Sequence, residues 1–396
     1  MTEDDIAPLT EPFDLYSTDI DADPFPGYAR LRDHHPCYWS EKGQLWILSR
    51  HEDVAQAAQD WQTFSSLGGN LVDEIPGRAG GTLGTTDPPR HDRLRGLAQG
   101  AFLKRNINHL IAPTQALANT AIDLILEKGA FDFVADFSSQ VTVGIVFKLL
   151  GLPDQNPADM RNKVVLSIST DKAKRGRNPE LDAAFKQLSD FMTKEIAFRR
   201  KHPQDDLITQ LAEAEIDGDR LTDHEVVMTT SSFLIAGVES LSSFMSIFAL
   251  NLADFPDARR SLAQQVEMML PAIEESLRFN TSAQRFKRVL THDHQIHGQT
   301  LRKGDKVVLA YGAANRDERK FDNADIYDIN RRPLGHLGFG AGKHFCAGAQ
   351  FARLVTETAM ACFLARVPDY ALRDEPFEWV PSSNFRSPMT LPFHVG

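Results

Sequence analysis

One cysteine is set apart by its neighbours. In Phe339-Gly-Ala-Gly-Lys-His-Phe-Cys346-Ala-Gly348, the glycines 340, 342 and 348 remove side chains from around a single thiol. Backbone and a flat ligand can then approach closely. Residues Ala349 to Ala365 read as an amphipathic helix, so the sulfur sits just ahead of a helix N-terminus. Amide donors and the helix dipole there favour a thiolate. A thiolate is a strong electron donor to a bound iron, and that donation favours O–O bond cleavage over simple O₂ carriage.

Three further groupings have spacings that put polar side chains together. Glu275 and Arg278, three apart, share one helical face and can pair. In Ala236-Gly-Val-Glu239-Ser240 an acid and an alcohol are adjacent in the middle of a long apolar helix. Gly237 weakens that helix, and Ser240 competes for its carbonyls, so a local widening is expected. His91 and Arg95, four apart, offer two basic groups on one face. His292, His294 and His297 form an HxHxxH cluster, but it lies in an expected exposed hairpin without carboxylate or cysteine organisation. It carries no metal reading.

The elements that must position these residues are mostly helices. Asp23-Pro24 opens a short helix through Leu31, and Tyr38 and Trp46–Leu48 read as strands about the Gly43 turn. His51–Trp61 is a short amphipathic helix. Residues 66–84, with six glycines, form a loop that is either a mobile binding segment or a surface excursion. Pro113–Glu127 and Phe137–Leu150 have helical apolar spacing, the second stopped by Gly151 and Pro153. The longest helix is expected from the capping box Thr222-Asp-His-Glu225 to about Asp254, apolar on nearly all faces and therefore central. Glu239 and the serines argue against its crossing a membrane. Ser261–Phe279 reads as a further helix and Val289–Val308 as hairpin-like strands. The class is mainly α with a minor β portion.

Bulk properties narrow the partners. The chain has 396 residues, 42% hydrophobic and 24% charged, with a net charge of −11. That balance argues against general affinity for nucleic acid or anionic membranes. Cys37, Cys346 and Cys362 are too few for a disulfide framework, which fits a reducing compartment, the cytoplasm by default. The first residues, MTEDDIAPLTEPFD, read as neither signal peptide nor membrane anchor. No repeat or linker divides residues 1–396, so one domain is expected.

The cysteine loop resembles the haem-binding loop FxxGxxxCxG of the cytochrome P-450 family, and other landmarks of that family follow in order along nearly the whole chain. Glu275-Ser-Leu-Arg278 resembles its ExxR motif, a structural pair with Arg331 as third partner. Ala236–Ser240 resembles its oxygen-activation motif (A/G)Gx(D/E)T, with Ser240 in place of the usual threonine. Serine keeps the hydroxyl but loses the methyl that stiffens χ1.

The resemblance implies the P-450 fold, with a haem b between the long central helix and the cysteine-loop helix. It implies a soluble bacterial-type monooxygenase, a monomer, with Cys346 ligating the iron. Ala236, Phe339, Gly340 and Gly348 would contact the haem, and His91, Arg95, Arg288 and His336 would contact its propionates. Glu239 and Ser240 would manage protons and oxygen. Ser232, Ile235, Ala283, Gln284, Phe286, Pro388 and Met389, with the 66–84 loop, would line a substrate pocket. That pocket suits a small to medium apolar or aromatic molecule, to be hydroxylated or O-dealkylated.

Arg285 reads as facing outward. The family's usual proline after the ExxR helix is missing from Asn280-Thr-Ser282. Electrons would come from a separate ferredoxin or flavodoxin with its reductase, docking near Arg93, Lys104, Arg105 and Lys343. The alternatives are a peroxygenase that uses hydrogen peroxide, or a non-catalytic haem sensor or electron carrier.

Overall fold

A computed structural model describes residues 13–99, 107–216 and 218–396. Lys104 and Arg105 lie outside the described residues. The expected central helix is present, in three pieces. Thr222 and Glu225 close a reciprocal capping box at its start, and an α-helix runs over Asp223–Ile235. A π-helical turn, Ala236–Ser240, follows, and α-helix resumes over Leu241–Asp254. The widening falls on the segment that contains Gly237 and Ser240. Every residue from Leu241 to Leu252 is buried, which explains why polarity cannot mark a solvent face there.

Other helices surround this one. The cysteine-loop helix spans Ala349–Arg366 and packs on Ile111–Lys128. Ile111–Lys128 starts before Pro113 because a proline is tolerated in a first turn. The helix expected over Ser261–Phe279 is divided into Pro256–Gln264, a 3₁₀ turn Val266–Met268, and Met269–Phe279. Pro271 explains the division, since it fits only the first turn of the last piece. A π turn, Phe133–Ser138, leads into Ser139–Leu150. Helices at Pro157–Ile168, Pro179–Lys201 and Leu207–Glu213 were not foreseen from the sequence. Their asparagine and aspartate N-caps, Asn156, Asn178 and Asp206, were the available signal.

The strands form a five-stranded sheet in the order Cys37–Ser40, Leu45–Leu48, Lys306–Leu309, Phe286–Leu290, Phe64–Ser65. Leu45–Leu48 and Lys306–Leu309 run parallel, and the other pairs are antiparallel. A three-stranded sheet joins Tyr370–Leu372, Pro392–Val395 and Ala130–Asp132. Its aromatic side chains complete the core: the Tyr370 ring meets Phe393 of the same sheet at 4.9 Å and Phe363 of the cysteine-loop helix at 5.4 Å between centroids. Phe133–Leu150 and Asp223–Asp254 are long and apolar enough to cross a membrane by composition. Most of each is buried against other helices, as core helices are.

Candidate active site

The Cys346 loop and the Ala236–Ser240 turn line one interior cavity of about 360 Å³. Gly340 and Gly342 have φ of 70° and 66°, a region that disfavours other residues. At Gly342 a Cβ would also lie 2.6 Å from the Ala58 carbonyl oxygen, so this turn can pack on its neighbouring helix only as glycine. The Cys346 amide donates to the Phe339 carbonyl at 2.9 Å, closing the loop. Arg95 braces it from outside, donating to the carbonyls of Lys343 at 3.1 Å and Phe345 at 2.8 Å. The sulfur's open surface faces the cavity. Burial raises the Cys346 thiol above its ordinary value, against the Gly348 amide and the charges of Arg95 and Arg353. The helix start alone therefore does not secure a thiolate; a cation bound at the sulfur would.

Basic side chains gather along the same cavity. His91, Arg95, Arg288 and His344 all line it. His91 is fully buried, its Nδ1 3.0 Å from Asp92, while its Nε2 has no hydrogen-bond partner among the described residues. The His344 ring stands edge-on to His91 at 4.7 Å, with Nε2 3.7 Å from Asp87. Burial lowers the His344 pKa and outweighs the pull of Asp87. Burial also opposes ionisation of Asp87, yet the nearby His344 ring, with hydrogen bonds from the Ser65 hydroxyl and the Ser66 amide, holds it below the usual carboxylate range.

His336, expected in this set, is elsewhere. Its Nε2 bonds Glu274 at 3.0 Å and its Nδ1 accepts from the Gly338 amide at 3.1 Å, so both ring nitrogens are spent. His344, two residues before the cysteine, is the histidine at the cavity.

In the π turn, Ser240 donates back to the Ala236 carbonyl. Glu239 is 1% exposed, and its carboxylate accepts from Ser243 at 2.8 Å. It also faces Arg161 Nε at 3.6 Å. Arg161, on the unforeseen helix Pro157–Ile168, had no sequence signal. The Glu275–Arg278 pair is fully buried, with two contacts of 2.8 Å, and Arg331 joins Glu275 at 3.2 Å. Arg278 also donates to the carbonyls of Asn315, Ala324 and Ile326. Neither Glu275 nor Arg278 lines the cavity.

The remaining wall is largely apolar. Ser232, Ile235, Ala283 and Phe286 line it, as do Leu71, Ile75 and Leu83 of the 66–84 loop. Gln284, Pro388 and Met389 do not. The Gln284 side chain turns instead against Gly312 and donates to the Thr281 carbonyl. The Pro388 and Met389 carbonyls accept from Arg161 at 3.0 and 3.4 Å. Phe385, bridged to Ala283 as an isolated β pair, takes their place. Arg285 does not face outward: it is fully buried, beside Asp21, Tyr28 and Lys172, and none of its guanidinium nitrogens has a hydrogen-bond partner among the described residues.

The histidine cluster is also accounted for. His297 pairs with Asp53 at 2.7 Å, His292 with Thr291 at 2.9 Å, and His294 packs on Phe64. No group of three metal-binding side chains occurs among the described residues. Arg93 is tied to Asp219 and Glu225, and Lys343 to Asp92 at 2.8 Å, so neither is an uncompensated docking charge.

Residues 143–367 match the family model for cytochrome P450. The chain belongs to the cytochrome P450 family. It is 32% identical to putative cytochrome P450 123 of Mycobacterium tuberculosis over 96% of both chains. It is 33% identical to nocardicin C N-oxygenase of Nocardia uniformis, covering 93% of this chain and 94% of that one. Among solved structures, the Bacillus subtilis cytochrome P450 PksS superposes with a TM-score of 0.89 at 27% identity, over 97% and 100% of the two chains.

P450s carry haem, and the lining of this P450 fits one on three observations. The cavity opens on the single cysteine of its loop. A Cβ at Gly348 would meet nothing within 4 Å among the described residues, leaving open space next to the cysteine. The unpartnered buried His91 Nε2, with Arg95, Arg288 and His344, suits a dianion.

Proposed function

We propose that this P450 is a monooxygenase with non-covalent haem b, acting on a small to medium apolar or aromatic substrate by hydroxylation or O-dealkylation. A separate ferredoxin or flavodoxin system supplies its electrons, and the chain acts as a single-domain cytoplasmic monomer. Substrate, O₂, two electrons and two protons yield oxidised substrate and water. The observation that carries this reading is that Cys346, the Glu239–Ser240 pair and a wall of Leu71, Ile75, Phe233 and Phe385 all meet in one cavity. Bound at Cys346, the haem supplies oxygen activation.

The chain's own residues do the rest. Arg95 fixes the cysteine loop through two carbonyls and, with His91, Arg288 and His344, offers donors to the propionates. Ser240 holds a hydroxyl in the widened turn, where it donates to the Ala236 carbonyl. Glu239 is the carboxylate that passes protons toward it. The apolar wall excludes bulk water and orients substrate by contact area.

The test is a screen of apolar and aromatic compounds for those that shift the ferric iron from low to high spin. Hits are then turned over under labelled O₂ with a surrogate redox pair. Label in the product supports the reading. Spin shift without any product, with O₂ or with hydrogen peroxide, sinks it in favour of a sensor or carrier.

A further inference from the structure

We infer that the Asn70 side-chain amide is a preformed hydrogen-bond donor in the apolar wall of the cavity, and that it selects substrates carrying an uncharged carbonyl oxygen. This rests on the monooxygenase reading and deepens it, naming a substrate class for the same pocket. Asn70 belongs to the 66–84 loop, is half-buried and lines the cavity. Its backbone is anchored. The Asn70 carbonyl accepts from the Lys287 amide at 2.8 Å, which ties it to the strand Phe286–Leu290. Phe286 and Arg288 of that strand line the same cavity.

A row of three side chains sets which way the amide points. The Glu74 carboxylate accepts from the amides of Leu71 and Ile75, each at 3.1 Å, and from Arg78 Nη1 at 2.6 Å. Glu74 can fold back this far because residue 69 is glycine, where a Cβ would collide with the Glu74 carboxylate. Arg78 Nη2 in turn donates to Asn70 Oδ1 at 2.8 Å. A guanidinium only donates, so the amide oxygen must face Arg78; the reverse orientation would set donor against donor. Nδ2 is thereby turned to the other side, beside Gly84, where a Cβ would stand 3.0 Å from it. Among the described residues Nδ2 has no hydrogen-bond acceptor.

The surroundings decide what this donor recognises. Its neighbours in the wall, Leu71, Ile75 and Leu83, are apolar. A polar atom covered there without a partner is destabilised, so a substrate oxygen that accepts from Nδ2 is favoured over a methylene at the same place. Charge selects among oxygens. Arg78 is already neutralised by Glu74, with both side chains 13% exposed, so a carboxylate placed at Asn70 would lose its hydration without gaining a free cation. A carbonyl needs only a donor. An alcohol brings a proton of its own, and the acceptor of the same amide, Oδ1, is committed to Arg78.

The test uses the haem-loaded full chain and probes matched in skeleton: cyclododecanone against cyclododecane, and 4-phenylcyclohexanone against phenylcyclohexane and 4-phenylcyclohexanecarboxylate. Dissociation constants are measured in the parent, in Asn70→Leu and in Asn70→Asp. The quantity read is the ratio of ketone to hydrocarbon constants, compared between proteins, so that differences in probe hydrophobicity cancel. Loss of the donor should shift that ratio against the ketone roughly ten-fold, the scale of one buried neutral hydrogen bond. Asn70→Asp keeps an oxygen for Arg78 but has no donor, and should shift it at least as far. Isotope-edited infrared spectra of the bound ketone give a second readout. The carbonyl stretch should be lowered in the parent and return toward its unbonded position in both variants.

An unchanged ratio in both variants, or a carbonyl stretch that is the same in all three proteins, would overturn the inference. So would a parent that binds neither ketone, or that binds the carboxylate more tightly than the ketone. Should Asn70→Leu lose all ligand binding by loosening the loop, Asn70→Asp must show both changes alone. Binding is read without turnover. A parent that holds the ketone through Asn70 yet forms no product with O₂ would sink the monooxygenase reading and leave the donor assignment standing.

Discussion

His344 and His336 show how far a single residue's surroundings decide its role. Both precede Cys346 in a glycine-rich stretch and both carry the same ring. His336 is consumed by Glu274 and the Gly338 amide, whereas His344 stands at the cavity beside His91. His344→Ala should therefore speed haem loss to an excess acceptor globin, and His336→Ala should affect it far less. Equal loss rates would return His336 to the haem.

Ser240 makes a second residue-scale prediction. Ser240→Ala should keep the substrate-induced spin shift but lower product per NAD(P)H. Ser240→Thr should couple at least as well as the parent, since the added methyl narrows χ1. Unchanged coupling in Ser240→Ala would take its hydroxyl out of the relay. The cysteine loop and the acid–alcohol pair were legible in the sequence because their chemistry is local. Arg161 was not, because its meaning depends on a carboxylate 78 positions further along the chain.

At the scale of elements, the ExxR helix anchors the segment that carries the cysteine loop. Arg278 donates to three carbonyls between Asn315 and Ile326 while pairing with Glu275, and Arg331 adds a second cation to that carboxylate. Removing one partner leaves a buried charge uncompensated, at about 3–5 kcal/mol. Glu275→Ala or Arg278→Ala should lower folding yield and haem content together, measured by denaturant unfolding and haem stoichiometry. A haem-replete, stable variant with slow turnover would make the pair catalytic instead.

Elements were readable where a cap or a proline punctuated an amphipathic pattern, as at Thr222 and Gly151. They were missed between residues 157 and 213, where helices are short or polar and are held by packing on one another. The three pocket residues misplaced by sequence, Gln284, Pro388 and Met389, belong to irregular segments. Which side chain faces inward there depends on the bridge between Ala283 and Phe385, invisible to periodicity.

Across the whole molecule, Glu274 ties three segments around the cysteine loop. Its carboxylate meets Arg353 of the cysteine-loop helix at 2.6 Å and His336 at 3.0 Å, and Arg353 lies over the Phe339 ring at 4.5 Å. Burial opposes its ionisation, but the bonds from Arg353 and His336 win and bring its pKa down from 4.5 to about 2. The folded state thus prefers the ionised form. The resulting stability is fully present above pH 4.5 and is lost as pH falls toward about 2.

Acid unfolding followed in that window should show the parent losing stability more steeply than Glu274→Gln. Parallel curves would mean the triad contributes nothing.

The central claim is thiolate ligation of haem by Cys346, and the spectrum of the reduced protein under carbon monoxide tests it most directly. The parent should show the red-shifted Soret band that a thiolate donor produces, and Cys346→His should lose it while still binding haem. Absence of that band in the parent, or its survival in Cys346→His, would contradict the account.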